Sequence, residues 1–311
     1  VKVVLTGASS FTGFWFATVL ARRGIHVVAP LRRPFGGYSD GARAARVSRL
    51  ADIAEVVWDC PFGSDRFLDL VSEARPAVLC HHAAEVNNYR SLDFDVMGAV
   101  QTNTHRLRAV LDRAGTLAGV VLTGSVFEPD EGRGDGSRRA FSPYGLSKGL
   151  TGQVFRFWCE IMAVPLTKFV IPNPFGPYEE ERFTAYLARS FLAGRAAEVR
   201  TPDYVRDNIH VSLLAERYAV VVAAVAQGAG PAGVNPSGYV ERQDVFARRF
   251  AAEFSRRLGH DCVVEAKAQT DFAEPMARFN TEPAALDCPD WNENAAWEAL
   301  VEYYREFQFR P

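Results

Sequence analysis

The segment from Val3 to Gly13 reads Val-Val-Leu-Thr-Gly-Ala-Ser-Ser-Phe-Thr-Gly. An apolar run stops at Thr6, small residues follow at Gly7 and Ser10, and an amphipathic stretch begins near Thr12. This order predicts a strand, a tight turn and a helix. A strand that leads directly into a helix must reach its next sheet neighbour by a crossover, so it belongs to a parallel sheet. The pattern then recurs. Strands are expected at Val1–Thr6, His26–Pro30, Glu55–Trp58, Ala77–His81, Gly119–Thr123 and Leu166–Ile171. Helices are expected at Thr12–Arg23, Asp65–Ala74, Gln101–Ala114 and Tyr144–Met162. Gly24 and Gly115 fall where helix C-caps belong. After Pro172 the rhythm loosens into helices near Arg182–Ala193, Leu213–Ala226, Gln243–Leu258 and Glu293–Phe307. The expected architecture is α/β: a doubly wound parallel sheet over residues 1–172, then a smaller lobe over 173–311 with some segments returning to the sheet.

A glycine-rich βα turn of this kind is also a place for an anion. A dinucleotide needs a tight turn, close backbone approach and a helix N-terminus aimed at its pyrophosphate. Gly7 and Gly13 fit the outer positions, Ser10 takes the middle one, and Ser9, Phe11 and Thr12 complete the candidate loop. The bland alternative is an ordinary turn. Where the second strand ends, an acidic residue would hold a ribose 2′-hydroxyl and an arginine a 2′-phosphate. The sequence there is Ala29-Pro30-Leu31-Arg32-Arg33. Two guanidiniums at that point suit a phosphate dianion, so NADP(H) is the expected cofactor, with NAD(H) the alternative.

Charge and cysteine usage narrow the field. With 35 basic and 37 acidic residues, the net charge is −2, which speaks against nucleic-acid binding driven by overall basicity. No apolar run approaches the ~18 residues of a membrane span. The five cysteines are widely separated and form no Cys-x-x-Cys, arguing against a disulfide framework or a zinc site. No leader-like segment precedes the first strand, and a cytoplasmic location is expected.

Tyr144 and Lys148 lie four apart on a predicted helix and share one face. A phenol has a pKa of ~10; a neighbouring ammonium and an oxidised nicotinamide would favour its phenolate. Tyr144 would then exchange a proton with a substrate alcohol or carbonyl. Thr123 and Ser125 end the preceding strand, where open α/β sheets place their sites. Thr123 would hydrogen-bond the reacting oxygen, with Ser125 the second candidate.

These residues, taken together, make the chain resemble the extended short-chain dehydrogenase/reductases that act on nucleotide sugars, whose core is a Rossmann-type sheet. The resemblance runs over nearly the whole chain. It rests on the glycine-rich opening, Trp58-Asp59-Cys60, His82-Ala83-Ala84, Asn103, Ser142-Pro143-Tyr144-Gly-Leu-Ser-Lys148, Asn173-Pro-Phe-Gly-Pro177 and Arg206-Asp-Asn-Ile-His-Val211. It implies that Tyr144 is the acid–base residue, that Lys148 binds the nicotinamide ribose and that Thr123 polarises the substrate oxygen. Asp59, Cys60, His82, Ala83, Ala84, Asn103 and Pro172 would contact the cofactor. Asn173, Arg206 and Arg278 would contact the sugar nucleotide, and Asn87 would line the sugar pocket. For Arg206 the alternative is a structural ion pair with Asp207 or Asp203.

Departures from the family pattern bear on the reaction. Gly124 and Ser125 stand where dehydratases carry an acid–base pair, and Glu128 has the wrong spacing. A 4-keto-sugar reductase is the expected activity, tipped by Arg32-Arg33, with a nucleotide-sugar 4-epimerase that recycles a bound cofactor as the alternative. A 4,6-dehydratase, a 3,5-epimerase-reductase, a small-carbonyl reductase and a non-catalytic NADP(H) sensor rank lower. A deoxysugar or polysaccharide route and a homodimer through the helices near 101–114 and 144–162 are expected from the family. The stripe Phe155, Trp158 and Met162 is the dimer's sequence signal, with burial in the core the alternative.

Overall fold

The computed structural model describes residues 1–39, 41–115, 117–135, 139–269 and 274–308. The chain runs β1 (Lys2–Thr6), α1 (Phe11–Arg22), β2 (His26–Pro30), α2 (Gly41–Leu50), β3 (Glu55–Val57), α3 (Asp65–Ala74), β4 (Val78–His81), α4 (Val96–Asn103), α5 (Leu107–Ala114), β5 (Gly119–Ser125), β6 (Arg133–Gly134), α6 (Pro143–Ile161) and β7 (Leu166–Ile171). It continues through β8 (Asn173–Phe175), α7 (Phe183–Leu192), β9 (Ala197–Val199), β10 (Val205–His210), α8 (Val211–Ala226), β11 (Gly233–Val234), β12 (Pro236–Ser237), β13 (Tyr239–Arg242), α9 (Gln243–Leu258), β14 (Val264–Ala266), β15 (Ala277–Phe279), β16 (Glu282–Pro283) and α10 (Glu293–Gln308).

Seven parallel strands form the central sheet in the order β11-β7-β5-β4-β1-β2-β3. From β1 the chain winds outward to β2 and β3, then crosses back to β4 on the other side. That reversal leaves a crevice at the carboxyl ends of β1 and β4, where Thr6 pairs with His81. Both faces of the sheet are covered, so its central strands β1, β4 and β5 are buried along nearly their whole length. On one face Phe16 of α1 stacks on Tyr218 of α8 at 3.9 Å, beside Phe169 of β7. On the other, Phe67 of α3, Leu111 of α5 and Phe155 of α6 share a cluster.

The smaller lobe has its own aromatic core. Phe175, Phe191, Phe246, Phe250, Phe254 and Trp297 bring together β8, α7, α9 and α10. Around it, β10 pairs with β13, β8 and β15, and β15 pairs with β6 from the first half. In return, α8 and β11 pack on or in the large sheet. The boundary at residue 172 is therefore crossed in both directions.

Two sequence expectations need correction. The helix expected at Gln101–Ala114 is two helices, with Arg106 in the left-handed region at φ 50°. At the break Gly63 packs tightly on the His105 carbonyl, where a Cβ would lie 2.0 Å from its oxygen. Helix α2 was not expected at all. The glycines at 36, 37 and 41 mask its start, and its buried face is only Arg46, Val47 and Leu50. In the stripe on α6, Phe155 is fully buried, and Trp158 and Met162 pack partly buried against the same cluster.

Glu179, between β8 and α7, is buried and accepts hydrogen bonds from the Thr184 and Tyr304 hydroxyls, both at 2.7 Å. Burial still pushes its carboxyl up to about 7. The unfolded chain releases this proton near 4.5, whereas the folded chain holds it to about 7. The group therefore costs stability as pH rises through that window. Glu179→Gln should gain stability relative to the parent between about pH 5 and about pH 8. Thermal melts at the two pH values check this; a constant difference between the proteins refutes it.

Candidate active site

The crevice at the ends of β1 and β4 is built on the absence of side chains. Gly7 has φ 73°, and a Cβ there would lie 2.7 Å from Ala83 N. A Cβ on Gly13 would lie 2.2 Å from Gly7 O. Ser10 replaces a glycine without strain: it is the N-cap of α1, with extended backbone, and its Oγ accepts the Gly13 amide at 3.1 Å. Thr6 Oγ1 accepts the amides of His82 and Ala83, at 3.1 and 3.0 Å, locking the two strand ends together. Ala84 continues the loop that leaves β4. The first amides of α1, from Phe11 onward, have no intrahelical partners and face the turn. A cradle this close to backbone, with a helix N-terminus behind it, fits a pyrophosphate.

His82 forms the floor. Its Nε2 lies 3.0 Å from Ser10 Oγ and 2.8 Å from Thr12 Oγ1. Burial, then the charge of Lys148, pushes its pKa down to about 3, so the ring is neutral. Asn103 is buried, accepting the Glu85 amide at 2.8 Å and donating to Thr151 Oγ1 at 3.3 Å. Asn87 is exposed, and its amide donates to Glu85 Oε1. Ser9 contributes a carbonyl to Arg46 at 3.1 Å.

At the end of β2 the two arginines are engaged. Arg32 pairs with Glu85 at 3.0 Å, reaching past the end of β1 to the loop after β4. Arg33 donates to Gly37 O at 3.0 Å and lies over the Tyr38 ring. The Asp59 and Cys60 amides donate to the carbonyls of Arg33 and Leu31, so they brace this corner from β3. The Cys60 thiol is buried and pushed up to about 11.

Tyr144 and Lys148 occupy the first turns of α6, behind a Ser142 N-cap and a Pro143 that fits the N1 position. The Tyr144 ring meets Tyr89 and Phe94 edge-on. Burial raises its pKa, Glu128 adds to the rise, and Arg182 opposes it. Lys148 Nζ donates to the Thr123 carbonyl at 2.6 Å, and burial lowers its pKa. The structure thus ties Thr123 to Lys148 through its backbone. The Thr123 hydroxyl is buried beside the Tyr218 phenol. Ser125 Oγ accepts the Phe127 amide at 3.2 Å, and its own amide donates to Glu128 Oε1 at 2.8 Å. Glu128 is buried and paired with Lys168 at 2.6 Å, which also binds Glu131. Nothing at sequence level singled out this Lys168 partnership.

On the substrate-lobe side, Pro172 is buried between β7 and β8, and Asn173 Nδ2 is buried without a hydrogen-bond partner among the described residues. Arg206 pairs with Glu274 at 3.0 Å rather than with Asp207 or Asp203, and lies over the Tyr204 ring. Asp207 instead accepts the amides of Gly238 and Asn280. Arg278, opposite Arg206 in register, donates to the carbonyls of Val126, Glu128 and Arg139. Both guanidiniums are thus tied into the scaffold. Among the described residues no cluster of three His, Cys, Asp or Glu could hold a metal, and no helix is long and apolar enough to cross a membrane.

Comparison with known proteins agrees with this geometry. The family model for the NAD dependent epimerase/dehydratase family matches residues 3–235. No curated protein matches the chain. Among solved structures, UDP-glucuronic acid 4-epimerase from Bacillus cereus, with UDP-glucuronic acid and NAD, superposes with a TM-score of 0.73 at 14% identity, covering 99% of this chain and 100% of that one. UDP-glucose 4-epimerase from Thermotoga maritima, with UDP-glucose, gives 0.74 at 16% identity over 99% and 100%. UDP-glucose-4-epimerase from Stenotrophomonas maltophila, with NAD and formylated UDP-arabinopyranose, gives 0.74 at 17% over 99% and 98%. At these identities the likeness is one of fold.

Replacing Gly13 by Ala would force the α1 turn away from Gly7 O. Cofactor affinity should fall by about tenfold or more, equivalent to about 1.4 kcal/mol. Titration with NAD followed by fluorescence checks this; unchanged affinity would move the cofactor away from this turn.

Proposed function

The chain belongs to the NAD dependent epimerase/dehydratase family, and from that premise we propose that it is a nucleotide-sugar 4-epimerase that retains NAD through the catalytic cycle. The observation that carries this reading is the pairing of a Tyr144–Lys148 face with a strand end that has no free carboxylate. A dehydratase needs an acid and a base beside the tyrosine. Here Gly124 and Ser125 occupy that place, and Glu128 is locked against Lys168 and the Ser125 amide. The fold relatives with NAD and UDP-sugars favour a 4-epimerase over the keto-sugar reductase expected from Arg32 and Arg33.

Bound NAD supplies a hydride acceptor and donor at the sugar C4, and its oxidised ring favours the phenolate next to it. The glycine turn and the α1 N-terminus hold the pyrophosphate. Lys148, oriented by the Thr123 carbonyl, would hold the ribose and favour the Tyr144 phenolate. Tyr144 takes the proton of the sugar 4-hydroxyl and returns it after the ring has turned its other face. Ser125, whose hydroxyl proton remains to donate, holds the sugar oxygen in preference to Thr123, whose hydroxyl lies against Tyr218. Asn173 and Arg206 are assigned to the nucleotide half, whereas Arg278, spent on the carbonyls of Val126, Glu128 and Arg139, braces the scaffold there. For Arg206, binding a diphosphate requires exchanging Glu274 for it.

The engaged arginines support NAD rather than NADP: a 2′-phosphate beside Arg32 would meet the Glu85 carboxylate. The second reading, an NADPH-consuming 4-keto-sugar reductase, keeps its support in the position of Arg32 and Arg33 at the end of β2.

Incubation of the enzyme with UDP- and dTDP-linked hexoses should yield an isomer of equal mass, seen by NMR, without net consumption of nicotinamide. Tyr144→Phe should slow it by about 10²–10⁴-fold while NAD stays bound. Consumption of NADPH with a keto sugar would replace this reading by the reductase. A parallel titration should show tighter NAD than NADP binding. Tighter NADP binding that Arg32→Ala and Arg33→Ala abolish selectively would likewise favour the reductase.

A further inference from the structure

We propose that Arg46 is a positioning residue that couples the cofactor turn to the substrate lobe; this rests on the two-ligand site proposed above. Arg46 lies on α2 and its side chain has no exposed surface. Its guanidinium bridges segments far apart in sequence. Nε donates to the Ser9 carbonyl at 3.1 Å, Nη1 to the Tyr178 carbonyl at 2.6 Å, and Nη2 to Glu180 Oε1 at 2.7 Å.

The two ends of this bridge are the parts of the site that two ligands would touch. Ser9 precedes the N-cap of α1, so its carbonyl sets the peptide plane from which the phosphate-facing amides follow. Tyr178 and Glu180 lie in the turn after Asn173–Pro177 and before α7, at the mouth of the smaller lobe. Tyr178 has φ 70°, a left-handed conformation that a non-glycine residue holds only under constraint. The constraint comes from the cofactor-binding half. Trp15 donates to the Pro177 carbonyl at 2.9 Å, Phe14 meets the Tyr178 ring edge-on at 5.4 Å, and Arg49 lies over it. On the lobe side, Tyr178 packs on Tyr303, and neighbouring Glu179 bonds Thr184 and Tyr304.

A purely structural tie at this point has a cheaper solution. A buried guanidinium loses much of its hydration, and its one carboxylate partner, Glu180, is 40% exposed and weakly attracting. An apolar side chain would pack the gap. What the planar fork adds is direction: three fixed N–H vectors hold two carbonyls and a carboxylate in one relative arrangement. A shift of the Ser9 peptide would therefore be passed through the guanidinium to the Tyr178–Glu180 turn. Coupling of this form is reciprocal between the two ligands.

The test is a binding cycle on the full chain. NAD is titrated calorimetrically with and without saturating UDP-glucose, and separately with dTDP-glucose. In the parent protein the nucleotide sugar should change NAD affinity by roughly fivefold or more. In Arg46→Met that factor should collapse towards one, while each ligand alone still binds. Arg46→Lys, which keeps the charge but not the fork, should not restore it. Should Arg46→Met fail to fold by circular dichroism, Glu180→Gln, changed at a half-exposed group, should still reduce the factor. A factor unchanged in a folded Arg46 variant, or in Glu180→Gln, overturns the coupling role. So does a parent protein that binds both ligands independently. A parent protein that binds neither NAD nor a nucleotide sugar overturns the proposed function itself, and the inference with it.

Discussion

The site depends on a contact that leaves no room for a methyl group. Where β1 turns into α1, Gly7 comes against the backbone of Ala83, and Gly13 against Gly7 itself. Thr6 closes the same junction by accepting two amides from the end of β4. These contacts set the crevice width at the point where the strand order reverses. Everything that would grip a dinucleotide is referenced to them: the α1 N-terminus, the His82 floor, and the loop through Glu85 to Asn103. A side chain at either glycine would move the helix, and with it the amides that meet the phosphates.

The second determinant is how charge is handled below the site. Buried Glu128 and partly buried Lys168 and Glu131 form an ionic group behind the end of β5, and Lys148 is oriented by a carbonyl of the same strand. An isolated charge in that environment would be very costly. Paired, these groups satisfy one another, which is why Glu128 is a scaffold element. Burial raises the Tyr144 pKa, and Glu128 adds to the rise while Arg182 opposes it.

Much of this architecture was legible in the sequence, for identifiable reasons. Strands buried on both faces must be short apolar runs, so β1, β2, β4, β5 and β7 stand out. The glycine turn and the Tyr144–Lys148 pair are local, each contained within one or two helical turns. The split between α4 and α5 was not legible: Arg106 there is left-handed, and neighbouring His105 packs on Gly63 from another part of the chain. Nor was the engagement of Arg32 by Glu85, of Arg206 by Glu274, or of Arg278 by three carbonyls. A guanidinium reads the same in a sequence whether it waits for a phosphate or is already satisfied.

The sequence by itself determined the parallel sheet, the glycine-lined crevice and the helix that carries Tyr144 and Lys148. Each depends on periodicity or on residues a few positions apart, and such patterns survive without knowledge of the rest of the chain. Only the tertiary structure decided which charges are free to meet a ligand and which are spent on the scaffold. It also decided that Arg46, in an unremarkable stretch of α2, lies fully buried between two loops. The physical reason is that the state of a charged side chain is set by burial and by partners at a distance, and those arise only once the chain has closed on itself.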